Sequence, residues 1–193
     1  MTSPTPGAFV SRGGGKLAAA LDHFSLEVAG KVCADLGSHV GGFVDCLLQR
    51  GASRVYSVDT AYGLLAWKLR KNPRVVVLER TNAMHVNLPE PVELLTIDVG
   101  WTPQSKILPN AARLMSPTGR VVTLIKPHYE APVELLASGV LPDAAVDGVV
   151  NEVLRDVMRL GWAVHGMFHS PLRGHGGNRE VFTLLIPPSP SVP

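Results

Sequence analysis

The chain has 193 residues, long enough for one domain with a full hydrophobic core. Hydrophobic residues make up 46% and charged residues 18%, a globular composition that excludes a disordered chain. A formal net charge of +2 creates no global field, so any affinity for nucleic acid has to come from local clusters.

The opening "MTSPTPGAFV" lacks the basic start and apolar run of a secretory leader, and no stretch reaches the ~20 apolar residues of a membrane span. The expectation is a cytoplasmic protein with no membrane partner. Cys33 and Cys46 lie in apolar segments without metal-ligand spacing and read as reduced core thiols, so no metal site is expected. Residues 1–10 and 188–193 are rich in Pro and Ser and read as disordered ends around a single domain over 11–187.

In chain order, "SRGGGKLAAAL" (11–21) places three glycines before a helix that begins near Lys16 and carries Leu17, Leu21 and Phe24 on one stripe. A phosphate-binding loop is excluded here, because no strand precedes it and Leu17 stands where a Ser or Thr is needed. The apolar run "KVCADLG" (31–37) reads as a strand, followed by a glycine turn and the amphipathic "FVDCLLQRG". Further strands are expected at 54–59, 74–79, 92–99 and 120–126, with helices over "LLAWKLRKN" and "KILPNAARLM" between them. The Pro- and Gly-interrupted stretch 127–148 is a candidate lid. A helix "VVNEVLRDVMRLG", a strand "WAVHGMFHS", the loop "PLRGHGGN" and a last strand "REVFTLLIP" complete the chain. Short apolar strands alternating with amphipathic helices predict a doubly wound α/β sheet, mostly parallel, whose last two strands form a hairpin with an antiparallel member. Its ligand belongs beyond the carboxyl ends of the strands.

The turn "DLGSHVGGFVD" (35–45) joins the first strand to a helix, the place where such sheets bind an adenosine-containing cofactor. Its glycines, Gly37, Gly41 and Gly42, do not follow the G-x-G-x-x-G spacing of a dinucleotide site. They suit a cofactor without phosphate, with Asp35 and Ser38 as further candidate binding residues. Asp59 ends the second strand, where a carboxylate can accept both ribose hydroxyls of an adenosine, and Asn82 is either an adenine contact or a turn residue.

"SRGGGKL", "DLGSHVGGFVDCLLQRGASRVYSVDTAYGLLAWKLRKNPRV", "LERTNA", "LTIDV", "LIKPHYE" and "GGNREVF" together resemble the methyltransferase domain of the haemolysin A (TlyA-like) proteins, within the FtsJ-like RNA 2′-O-methyltransferases. The likeness runs in order from about residue 11 to 186. It implies a Rossmann-like fold with a seven-stranded sheet, S-adenosylmethionine as cofactor, RNA, in particular rRNA, as substrate, and a Lys-Asp-Lys-Glu catalytic tetrad. By motif, the tetrad falls on Lys16, Asp98, Lys126 and Glu180, with Asp98 also beside the cofactor. Two departures stand out. "GWTPQS" follows Val99 where the family has Ser-Phe-Ile-Ser, and ten residues precede Ser11 where the family carries an S4-type RNA-binding domain. The second departure leads to the expectation of a separate RNA-binding partner.

Attack of a ribose hydroxyl on a sulfonium methyl needs a positioned base, a role a lysine can take when burial and a neighbouring cation favour its neutral form. Lys126 is the expected base and Lys16 the second cation, with Asp98 holding Lys126 and Glu180 orienting Lys16 or the nucleotide. Arg12, Arg173 and Arg179 flank the expected mouth and are the candidate RNA contacts. Lys68, Arg70, Lys71 and Arg74 read first as a solvated helix end, and Trp101 and Tyr129 either stack a base or pack. A methyltransferase for another acceptor and a non-catalytic RNA or ribosome-assembly module are the alternatives; the first has no need of two lysines interleaved with two acids, and the second would tolerate loss of Lys126.

Overall fold

Runs of β-branched and aliphatic residues become strands where helices can cover both faces, and seven of them join one sheet. The computed structural model describes residues 8–188; the expected disordered ends at 1–7 and 189–193 lie outside the described residues. The strands are β1 (Val32–Leu36), β2 (Arg54–Val58), β3 (Val75–Leu78), β4 (Val92–Ile97), β5 (Met115–Ile125), β6 (Ala163–His169) and β7 (Val181–Ile186). Their spatial order is β3-β2-β1-β4-β5-β7-β6. Only β7 runs against its neighbours, pairing antiparallel with both β5 and β6, as the hairpin reading anticipates. The order reverses between β1 and β4, which opens a crevice at their carboxyl ends.

Successive residues in each strand feed opposite cores. Cys33, Val55, Leu94, Val122 and Phe182 pack under α1 (Arg12–His23), α2 (Gly42–Gln49) and the single turn α3 (Trp67–Arg70). Ala34, Tyr56, Leu95, Val121 and Val181 pack under α4 (Gln104–Leu114) and α6 (Asp143–Arg159). Cys33 and Cys46 are free and buried, and burial pushes both thiols up to about 12, which leaves them inert at neutral pH. Among the described residues no helix is long and apolar enough to cross a membrane.

Several boundaries differ from expectation. Helix α1 starts at Arg12, so Gly13, Gly14 and Gly15 are helical instead of forming a loop before Lys16. Packing explains it: a Cβ at Gly14 would run into the Phe9 side chain and lie 2.9 Å from the Gly42 carbonyl oxygen. Tertiary contact with the first residue of α2 therefore outweighs the poor helix propensity of glycine. Residues 8–10, read as tail, are tied down as well, with Val10 N donating to Asp45 Oδ2 at 2.8 Å and Gln49 Nε2 to the Ala8 carbonyl at 2.8 Å. Helix α3 is one turn, because Asn72 and Pro73 end it and the residues before Trp67 follow an irregular, bent path. Strand β5 begins five residues early, through "MSPTG", with a register shift between Val92 and Leu94 on β4. Helix α6 starts at Asp143, an acid in the first turn after Pro142, a start signal hidden by Gly148 in the interior.

The stretch 127–148 is not one long connection. It holds the short helix α5 (Pro127–Glu130), a 3₁₀ turn at Val133–Leu135 and the beginning of α6. The buried Asn178 ties it to the loop before β7, accepting from Leu141 N at 2.9 Å and donating to the Gly139 carbonyl at 3.1 Å.

Candidate active site

At the crevice the chain turns sharply after β1. Gly37 has φ +91°, and a Cβ there would lie 2.6 Å from the Asp98 carbonyl oxygen, so only glycine lets this turn touch the end of β4. Gly41, at φ +96°, delivers the chain into α2. Ser38 points inward, its hydroxyl donating to the Asp35 carbonyl at 2.9 Å.

Two clefts flank this turn. The larger, about 550 Å³, is lined by Gly37, His39, Asp59, Asn82, Asp98 and Lys126, with Val58, Ala83, Met84 and Ile107 as its apolar wall. That mixture and volume suit a nucleoside-sized ligand. Asp59 is preset there, its two oxygens accepting from His39 N and Ala61 N at 2.7 Å each while lone pairs remain for a ligand. Asn82 uses Oδ1 to accept from Met84 N at 2.9 Å, which keeps its NH₂ donors free of that turn. The smaller cleft, about 220 Å³, is lined by Arg12, Lys16, Asp35, Ser38, Gly42 and Phe43. Gly37, His39 and Asp98 belong to both clefts and form the wall between them.

The four residues of the tetrad motif form two ion pairs, with Lys126 lining the larger cleft, Lys16 the smaller and Asp98 the wall between them. Lys126, at the end of β5, places Nζ 2.7 Å from Asp98 Oδ1 and 3.4 Å from the Asp98 carbonyl oxygen; the shorter contact is an ion pair whose angles fall outside a hydrogen bond. Lys16, from α1, places Nζ 2.5 Å from Glu180 Oε2. The loop 170–180 wraps Glu180 closely: Gly174 N donates to the Asn178 carbonyl, and a Cβ at Gly174 would lie 2.8 Å from Glu180 Cδ. Two cations against two carboxylates offset much of the cost of burying four charges.

Aromatic side chains roof the Lys126 side. Trp101 is 82% exposed and lies 4.3 Å from the Tyr129 ring, which in turn sits 5.9 Å from Lys126 Nζ and 4.1 Å from His128. Burial, helped by the Lys126 charge, lowers the His128 imidazole below its usual range. The rebuilt "GWTPQS" segment thus forms an open aromatic rim.

The structure places the candidate RNA contacts unequally. Arg12 is exposed at the rim of the smaller cleft. Arg173 and Arg179 both bind Asp143, at 2.7 Å each, and hold its carboxyl well below the usual range. The basic run at 68–74 is mostly engaged: Lys68 pairs with Asp45 at 3.0 Å, Arg70 with Glu79, and Arg74 donates to the Ala52 carbonyl at 3.0 Å. Sequence reasoning missed His39, shared by both clefts; Asp143; Thr96, which donates to Asp35; and the exposed pair Tyr62 and Trp67, each under a cation from Arg80 or Lys71. Only Asp143, an acid in a helix's first turn, carried a local signal.

Residues 9–186 match the FtsJ-like methyltransferase family. Over 184 residues the chain is 41% identical to the 16S/23S rRNA (cytidine-2′-O)-methyltransferase TlyA of Mycobacterium tuberculosis, covering 92% of this chain and 68% of that protein. A solved structure described as a hemolysin from Lactococcus lactis superposes with a TM-score of 0.89 at 38% identity, over 93% of this chain and 88% of that one. Aeropyrum pernix fibrillarin with bound S-adenosyl-L-methionine shares the fold at 20% identity and a TM-score of 0.63, over 88% of this chain and 73% of that one. With the family matched along nearly its whole length and the crevice built as described, the chain belongs to the FtsJ-like methyltransferase family, and S-adenosylmethionine is its methyl donor.

Proposed function

We propose that the chain methylates a ribose 2′-hydroxyl of ribosomal RNA, with Lys16, Asp98, Lys126 and Glu180 as the catalytic tetrad. The observation that carries this reading is that each lysine is held by a carboxylate, with Lys126 lining the larger cleft, Lys16 the smaller and Asp98 the wall between them. The crevice fits the cofactor: Gly37 leaves no side chain between the turn and β4, Asp59 offers lone pairs for ribose hydroxyls, and Asp35 Oδ2 is a buried acceptor without a donor. When bound, S-adenosylmethionine supplies an electrophilic methyl group.

The residues of the chain then do the rest. Lys126, held by Asp98, orients the acceptor hydroxyl and in its neutral form takes its proton as the new oxygen–carbon bond forms. Glu180 fixes Lys16 against the acceptor side. Arg12 binds RNA phosphates, Arg173 and Arg179 do so in competition with Asp143, and Trp101 with Tyr129 offers a surface on which a base can stack. The target is inferred from the relative named for 16S/23S rRNA, and it implies a cytoplasmic protein. A separate RNA-binding partner supplies further grip, so that its addition lowers KM for RNA.

The test is transfer of radiolabelled methyl from S-adenosylmethionine into free 16S and 23S rRNA, ribosomal subunits and tRNA, with wild type and Lys126→Ala. Label in rRNA or a subunit, at a site resistant to alkaline cleavage and lost in the variant, supports the proposal. Label in tRNA alone, or a product cleaved by alkali, overturns the acceptor.

A further inference from the structure

The sheet ends on two unequal edges. Strand β3 is four residues long, whereas β6 offers seven, "AVHGMFH", without one Lys, Arg, Asp, Glu or Pro to discourage pairing. Among the described residues β6 hydrogen-bonds along one side only, with β7. Ser170 N donates to the Glu180 carbonyl at 2.9 Å, so by alternation Met167 and His169 turn their backbone N–H and C=O groups outward, away from β7. A shift in register between Val164 and Gly166 bounds this regular stretch. Met167 is 45% exposed on the edge, and a bare strand of this kind is a template for another strand.

Helix α6 flanks that edge with a charge pattern that complements itself. It runs antiparallel to β6, and His169 Nε2, 3.4 Å from Asp147 Oδ1, fixes their relative height. Asn151, about 6 Å further along the helix, is therefore level with Met167, two residues back along β6. Arg155, about 12 Å along, is level with His165. Half a turn about an axis through Met167 sets Asp147 of one copy level with Arg155 of the other, and the exposed Met158 level with the exposed Ala144. Within its own chain Arg155 is held only loosely, by Glu152 at 3.6 Å with both side chains more than half exposed.

We propose that β6 pairs with β6 of a second copy of this chain, antiparallel about a two-fold axis at Met167, so that the sheet continues from one chain into the other. The axis stands perpendicular to the sheet, which keeps both α6 helices on one face and brings each Asp147 to Arg155 of the other copy. Such a contact closes on itself and does not propagate. Strand β6 runs parallel to β5, so the two crevices open at opposite ends of the dimer and both stay accessible. Pairing of about five residues a side with one helix flank is a small interface, so monomer and dimer exchange. The inference is independent of the cofactor and of RNA as acceptor.

Sedimentation equilibrium of the full chain, from micromolar to near-millimolar protein, is expected to show a monomer–dimer equilibrium. Met167→Lys sets two ammonium groups face to face at the axis and should raise the dimer Kd by at least about tenfold. Asp147→Lys and Arg155→Glu should each raise it by about fivefold, and the double variant should recover most of the loss. Register is read by cross-linking: under mild oxidation Met167→Cys should form a covalent dimer, because it meets its own copy at the axis. Ala163→Cys should not, because its copy lies about 26 Å away along the strands. Cys33 and Cys46 are buried and add no background. Should Met167→Lys fail to fold, the two cysteine variants decide. A chain that stays monomeric throughout, a dimer that Met167→Lys leaves intact, equal cross-linking at both positions, or a double variant as weak as the singles overturns the proposal. Methyl transfer per chain is expected to be the same in Met167→Lys and wild type, so absence of transfer to RNA in both bears on the acceptor reading alone.

Discussion

Lys126 and Asp98 stand at the ends of neighbouring strands, whereas Lys16 and Glu180 come from opposite ends of the chain, 164 residues apart. The first pair is the more open, its side chains 17% and 27% exposed against 12% and 5% for the second. The sheet alone positions Lys126 and Asp98, so that pair is free to serve reactivity. Lys16 and Glu180 also staple α1 to the loop before β7, so that pair carries shape as well as chemistry.

The contrast breaks first at Lys126. Lys126→Ala is expected to lower kcat/KM for RNA methylation by about 10³-fold, within the range lost when a general base is removed. Its Tm should stay within about 2 °C of wild type, because the sheet is untouched. Glu180→Gln leaves Lys16 without its counter-charge and should cost about 3 kcal/mol, a Tm loss of roughly 6–12 °C for a chain of this size. Replacing both partners by apolar residues, Lys16→Met with Glu180→Leu, should recover most of that stability and none of the activity. If Glu180→Gln melts like wild type, the second pair is not a staple.

A smaller effect is expected from Gly14→Ala, which pushes a methyl group into the Phe9 side chain and against the Gly42 carbonyl. Overpacking there should cost about 1–3 kcal/mol and lower activity by displacing Lys16, measured by melting and by kcat. The smallest effect on folding belongs to Asp143→Asn, whose partners are exposed. Arg173 and Arg179 depress the Asp143 pKa, so its contribution is present above the ordinary carboxylate range and lost as pH falls below about 4. Wild-type and variant Tm values should therefore converge on acidification, while at neutral pH the released arginines steepen the salt dependence of RNA binding.

Strand identities were legible because each inner strand is a short apolar run, and the glycine turn was legible because backbone contact at Gly37 excludes any side chain. The start of α1 was hidden, since three helical glycines look like a loop until Gly42 is seen against them. "MSPTG" likewise carries turn signals that a bulged strand overrides. In the site, motif likeness brought out Lys16, Asp98, Lys126 and Glu180 individually, and the fold shows who pairs with whom. Thr96 is an ordinary strand residue in sequence, and its role toward Asp35 exists only through the β1–β4 register. The commitment of Arg173 and Arg179 to Asp143 is also tertiary.

The contact between Gly14 and the first residue of α2 sets a common origin for both halves of the crevice. With two backbones touching, no rotamer is available to absorb a shift between them. Any displacement of the glycine turn is passed at full amplitude to Lys16, less than one helical turn away. The donor side and the acceptor side are thereby gauged from the same point, and a change that loosens one detunes the other.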